Sequence, residues 1–88
     1  MANHELVFRK SVAKGLKSIP NKDVSRILRR IEALRMDTRA DGCMKLSGQA
    51  RYRVRQGIYR IIYEIQDGRL IIVVVKVANR SGVHKAIV

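Results

Sequence analysis

The chain has 88 residues, enough for one domain with a small core, since a domain of this size buries only roughly 60% of the surface its unfolded form exposes. Its 19 Lys and Arg against 7 Asp and Glu give a net charge of +12, which points to polyanionic or acidic partners and says little about fold. A single cysteine excludes an internal disulfide, no apolar run approaches the ~20 residues of a spanning helix, and the first residues lack a signal-peptide pattern. The chain is therefore expected in the cytoplasm, with no membrane partner.

Residues 4–8 alternate as a short strand, with Leu6 and Phe8 on one face. Residues 9–18 read as a helix carrying Val12, Leu16 and then Ile19 on one side. Gly15 lies inside it, at an entropic disadvantage of about 1 kcal/mol relative to alanine. Pro20 breaks the chain and Asn21 can cap a second helix. Residues 22–36 form the clearest helix, with Val24, Ile27, Leu28, Ile31 and Leu34 in one stripe and Arg26, Arg29, Arg30 and Glu32 away from it. Residues 37–50 read as loop. In 51–56, Tyr52 and Val54 take one face of a strand while Arg51, Arg53 and Arg55 take the other.

Residues 58–65 form the next strand, with Tyr59, Ile61, Tyr63 and Ile65 opposite Ile58, Arg60, Ile62 and Glu64. Asp67-Gly68 signals a hairpin, and 69–77 is apolar enough for a central strand covered on both faces. The whole reads as one α+β domain over residues 1–88: an antiparallel sheet of about four strands with two N-terminal helices on one face.

Arg51, Arg53 and Arg55 admit two readings. They are the solvated face of an edge strand, where charge discourages edge pairing, or they bind phosphate. Three like charges on one strand, with Arg60 on the next, repel one another unless an anion sits there. From Lys45 onward there are nine Lys or Arg against Glu64 and Asp67 alone, which favours phosphate. His84 is either a frayed surface residue or, among cations, a neutral imidazole able to act as base. His4 reads as strand surface.

One cysteine and two separated histidines offer no metal cluster, Cys43 has no paired base, and no glycine-rich nucleotide loop is present. No cofactor is implied. The carboxylates are too few for a magnesium site on this face. Phosphodiester cleavage here would need an internal nucleophile, the 2′-hydroxyl of RNA.

Lys45-Leu46-Ser47-Gly48, Tyr52-Arg53-Val54-Arg55, Gly57-Ile58-Tyr59-Arg60-Ile61-Ile62-Tyr63-Glu64-Ile65, Val74-Val75-Lys76-Val77-Ala78-Asn79-Arg80 and Val83-His84 together resemble the RelE/ParE superfamily of bacterial toxins. The pattern is most similar to the RelE-type mRNA interferases. The resemblance implies the toxin of a type II toxin–antitoxin pair, cutting translated mRNA on the ribosome without metal by 2′-hydroxyl attack. It implies a small acidic antitoxin partner, through which the complex binds its own promoter DNA.

Carried over residue by residue, the resemblance makes Arg60, Arg80 and His84 the catalytic residues, with His84 standing where tyrosine is usual. Arg53 and Arg55 fall where the family has basic strand residues on the RNA backbone, and with Arg51 and Lys76 on the same basic segment they are the expected RNA-binding residues. Ala78-Asn79 departs from the usual Gly-His or Gly-Lys before the arginine. The alternatives are a ParE-like inhibitor of DNA gyrase, without chemistry, and a plain RNA-binding module. The second is disfavoured by one Phe, three Tyr and no Trp, with Tyr59 and Tyr63 on the apolar face.

Overall fold

A computed structural model describes residues 4–46 and 50–79 of the chain. The elements run β1 (Glu5–Phe8), α1 (Lys10–Leu16), α2 (Asn21–Ala33), β2 (Met44–Lys45), β3 (Arg51–Gln56), β4 (Tyr59–Gln66) and β5 (Ile71–Asn79). The sheet has five strands in the order β1-β5-β4-β3-β2.

Two expectations about strand pairing need correction. The sheet is mixed and not purely antiparallel: β1 runs parallel to β5, with Leu6 beside Ile72 and Phe8 beside Val74. The helical hairpin between β1 and the other strands is the crossover that a parallel pair requires. The second correction is the fifth strand. Met44 and Lys45, inside a segment expected to be loop, pair with Arg53 and Tyr52. Two residues are too few for sequence alternation to reveal.

α1 lies along β5 and α2 crosses β3 and β4. Val12, Ile19, Ile27, Ile31 and Leu34 meet Val54, Tyr59, Ile61, Tyr63, Ile65, Ile72, Val74 and Val77 in one core. Fully burying an aliphatic side chain such as Ile61 or Ile72 contributes roughly 1.5–3 kcal/mol. Leu28 leaves the expected stripe and is exposed, because α2 turns that flank outward. Phe8 shares a sheet face with Leu6 but is also exposed, since β1 is an edge strand.

The close approach of α1 to β5 explains the glycine inside that helix. A Cβ on Gly15 would stand 2.7 Å from the Val77 carbonyl oxygen. One turn earlier, the Ser11 hydroxyl donates to the Val75 carbonyl at 2.7 Å. Val75 is the extra residue at a register shift: Ile62 pairs with Lys76, Tyr63 pairs with Val74, and Val75 has no partner on β4. The bulge reverses the alternation of β5. Val74 and Val77, three residues apart, both enter the core, and Lys76 goes to the opposite face. β5 is an inner strand, but among the described residues helices cover only one of its faces.

The β3–β4 connection is a two-residue turn between Gln56 and Tyr59, with Gly57 at φ 61, where a left-handed backbone favours glycine. At the other end of the sheet the segment after α2 is tied down by side chains. The Tyr63 hydroxyl donates to the Thr38 carbonyl at 2.8 Å, and the Tyr63 ring stacks on Tyr52 with centroids 5.9 Å apart. Arg39 lies over Tyr52 and donates to Asp67 at 2.9 Å. His4 Nε2 is 3.4 Å from the same carboxylate. His4 is buried, contrary to the expectation of strand surface, because its backbone pairs with Arg35 while its ring turns toward Asp67.

Candidate nucleic-acid interface on the open sheet face

The sheet face away from the helices carries the basic residues. Alternation along β3 points Arg51, Arg53 and Arg55 to this side, and the register with β4 and β5 sets their neighbours in three cross-strand rows. Arg55 faces Arg60, which faces Ala78. Arg53 faces Ile62, which faces Lys76. Arg51 faces Glu64, which faces Val73.

The middle and first rows enclose a depression of about 190 Å³, lined by Leu46, Arg53, Arg60, Ile62, Lys76 and Ala78. Three of the expected site residues, Arg53, Arg60 and Lys76, thus meet around an apolar floor. Arg55 stands exposed beside them, directly opposite Arg60. Like charges directly opposite one another on neighbouring strands are unfavourable by themselves. Arg53 Nη2 lies 3.3 Å from Met44 Sδ, a weak acceptor that leaves the guanidinium's charge unneutralised.

Arg51 has a different role. Its Nε donates to Glu64 Oε2 at 2.9 Å, and Arg9 Nη2 stands 3.9 Å from the same oxygen. Glu64 therefore neutralises the third row, and Glu5 lies toward the same end of the face through its pairing with Ile71. The face is polarised, with Arg55 and Arg60 at the β3–β4 turn end and the carboxylates of Glu64 and Glu5 toward the other. Arg80 and His84 lie outside the described residues, as do Ser47 and Gly48 of the Lys-Leu-Ser-Gly motif.

Reading the sequence for charge missed the floor of the depression. Ile62 was legible as the one apolar residue between Arg60 and Glu64 on a polar face. Leu46 and Ala78 reach the depression only through tertiary pairing. Tyr59 and Tyr63 point into the core, where burial raises both phenols above the ordinary tyrosine range. This leaves no aromatic platform among the described residues of the open face. Among the described residues no group of three His, Cys, Asp or Glu side chains could hold a metal. No helix among them is long and apolar enough to cross a membrane.

A family model described as "ParE toxin of type II toxin-antitoxin system, parDE" matches residues 6–83, and the chain belongs to this family. Among solved structures it is similar to the archaeal RelE–RelB complex from Pyrococcus horikoshii, with 27% identity and a TM-score of 0.79, covering 89% of this chain and 96% of that one. It is also similar to the RelB–RelE antitoxin–toxin complex from Methanococcus jannaschii, with 27% identity and a TM-score of 0.72, covering 91% and 96%. The E. coli RelBE toxin–antitoxin complex shares the fold at 18% identity and a TM-score of 0.75, covering 86% and 95%. A comparison with curated proteins gave no match.

Proposed function

We propose that this chain is a ribosome-dependent endoribonuclease that cuts translated mRNA, held in check by a cognate antitoxin. The observation that carries the reading is the meeting of Arg53, Arg60 and Lys76 around one depression, with Arg55 beside it and the Glu64 carboxylate tied to Arg51. Guanidinium and ammonium groups without free carboxylates suit a phosphodiester. Arg53, Arg55 and Lys76 hold the backbone, and Arg51 contributes long-range field more than direct contact.

In the proposed reaction the 2′-oxygen attacks the adjacent phosphorus and the bond to the 5′-oxygen breaks. The products are a 2′,3′-cyclic phosphate and a 5′-hydroxyl. His84 takes the 2′-hydroxyl proton or orders the group that does, and the leaving 5′-oxygen takes a proton from water, so that no net proton is consumed once the base returns its own to solvent. Arg60 and Arg80 stabilise charge developing on the phosphoryl oxygens, in general the largest catalytic contribution. No metal is required by this scheme. Orientation of mRNA by the ribosome lowers the barrier further.

The partner is a small acidic antitoxin, supported by the two archaeal relatives, both solved as toxin–antitoxin complexes, and by the charge of +12. An acidic segment folding over the open face would block it and associate rapidly. In this reading the toxin–antitoxin complex binds its own promoter DNA through the antitoxin, and a cytoplasmic location accords with the targets. The family description names ParE, which favours one second reading: inhibition of DNA gyrase without chemistry. Primer extension on mRNA from cells making the chain, with and without translation, tests the choice. Cuts confined to translated messages support the nuclease. Intact messages with blocked supercoiling support the gyrase inhibitor.

A further inference from the structure

A second concentration of charge lies away from the open sheet face. On α2, Lys22, Arg26, Arg29 and Arg30 are spaced by four, three and one. At about 3.6 residues per turn they share an arc of about 100°, with Ala33 at its centre. Val24, Ile27, Ile31 and Leu34 occupy the arc that faces the core. Glu32 lies outside the basic arc and pairs with Arg35 at 2.6 Å. Asp23 borders the arc, where it accepts from the Tyr59 hydroxyl at 3.3 Å. Among the described residues Lys22, Arg26 and Arg29 have no ion-pair partner. Arg30 is anchored by donating to the Asp41 carbonyl at 3.0 Å.

The stripe borders concave ground. A depression of about 330 Å³ opens between Lys22, Arg26 and the β3–β4 turn. Another of about 300 Å³ lies between Arg26, Arg29, Arg30 and Gln56. Arg26 and Gln56 line both. Like charges at these helical spacings repel one another and weaken the helix, so their alignment calls for an external anion.

The chemistry of the stripe narrows the occupant. A protein partner generally needs a large apolar or aromatic anchor, and of the residues lining these depressions only Ile58, at one end, is large, apolar and exposed. A membrane-surface helix needs a free apolar face, whereas Ile27 and Ile31 are buried in the core. The one aromatic ring lining these depressions, Tyr59, is buried with its hydroxyl on Asp23, so the row of cations offers phosphate contacts but no exposed ring for stacking. That suits a duplex, whose bases are already stacked, over a single strand. We infer that this flank of α2 is a second polyanion surface that grips the phosphate backbone of double-helical RNA. It acts apart from the single strand held over the open sheet face. The choice of RNA rests on the nuclease reading; the stripe itself does not.

The test is binding of the full chain to a short fluorescent RNA hairpin across a range of salt concentrations. Compared with the parent are Lys22→Gln/Arg26→Gln/Arg29→Gln, the single Arg26→Gln, and Arg26→Lys/Arg29→Lys, with circular dichroism confirming the fold. Each lost phosphate contact removes roughly 0.7–0.9 from the log–log salt slope. The triple variant should therefore lose about two to three and bind at least about tenfold more weakly at low salt. Arg26→Gln should lose about one, and the lysine variant should keep the parent slope. A triple variant, or a folded Arg26→Gln, with unchanged affinity and slope would overturn the inference. So would a parent that prefers the DNA duplex of the same sequence, or vesicles of anionic phospholipid, to the hairpin. Cleavage of translated mRNA is scored separately. A parent that fails to cleave but shows the expected slope losses sinks the nuclease reading and leaves the stripe standing.

Discussion

The Cβ that alanine would place at Gly15 stands 2.7 Å from the carbonyl oxygen of Val77, closer than real Cβ atoms come to other groups. Helix propensity alone says that Gly15→Ala should stabilise α1 by about 1 kcal/mol. Packing says the reverse, because the neighbour is backbone in an inner strand and cannot swing aside. We expect Gly15→Ala to lower stability by about 1–3 kcal/mol, the usual range for overpacking. Gly68→Ala, with nothing within 4 Å of the new Cβ, should be neutral or slightly stabilising. Urea unfolding midpoints check both. A Gly15→Ala variant more stable than the parent would show that α1 is free to lift from β5.

The open face predicts unequal roles for three arginines on one strand. Arg51 is occupied by Glu64 at 2.9 Å, whereas among the described residues Arg53 meets only the sulfur of Met44. Arg53→Gln should weaken binding to single-stranded RNA and flatten its salt slope by about 0.7, and Arg51→Gln should do so less. Glu64→Gln should tighten binding at low salt by releasing Arg51. Equal losses from Arg51→Gln and Arg53→Gln would mean that the Glu64 pair opens when RNA binds.

Chemistry and binding separate at Arg60 and His84. Arg60→Ala should reduce cleavage by roughly 10²–10³-fold if it acts on transition-state charge. His84→Ala should reduce it by roughly 10²–10⁴-fold with ribosome affinity little changed. His84→Tyr should retain activity. Single-turnover cleavage at saturating ribosome, with binding constants for each variant, makes the distinction. If His84→Ala cuts like the parent, the proton acceptor is another group.

Acid sensitivity should centre on Asp67. Its carboxyl is held below the ordinary range first by the hydrogen bond from Arg39, which outweighs the opposing effect of burial, with a lesser contribution from His4. A carboxylate depressed in the folded state contributes stability above its unfolded pKa and loses it as pH falls through the folded value. The parent should melt above Asp67→Asn at neutral pH, and the gap should narrow as pH drops below about 3.9, the ordinary aspartate value. A gap that stays constant into strong acid would mean that Asp67 acts through loop geometry and not charge.

Much of the open face was legible from local pattern. Alternation in 51–56 and in 58–65 sorts arginines from core residues without any tertiary knowledge, because side chains on a strand must take opposite faces. The element bounds of β3 coincide with the expected 51–56, whereas α2 runs Asn21–Ala33 and gives way to a turn at 34–36, inside the expected 22–36. The reading failed where a residue's surroundings come from distant chain. Leu28 fits the helical period but faces outward, and His4 fits a surface strand but is buried against Asp67.

By itself the sequence determined an α+β domain, a basic strand face, a small core and the family resemblance, since each rests on local spacing or on composition. Tertiary structure alone decided that β1 pairs parallel with β5, because an edge strand of four residues carries no local mark of its partner. It decided that Glu64 withdraws Arg51 from the basic cluster, because cross-strand register is set by the turn and the core together. It also decided the position of Lys76. In strict alternation Lys76 would share the buried side with Ile72 and Val74. The extra residue at Val75, its carbonyl taken by Ser11 from a helix 64 residues away in sequence, turns Lys76 to the open face beside Arg53 and Arg60.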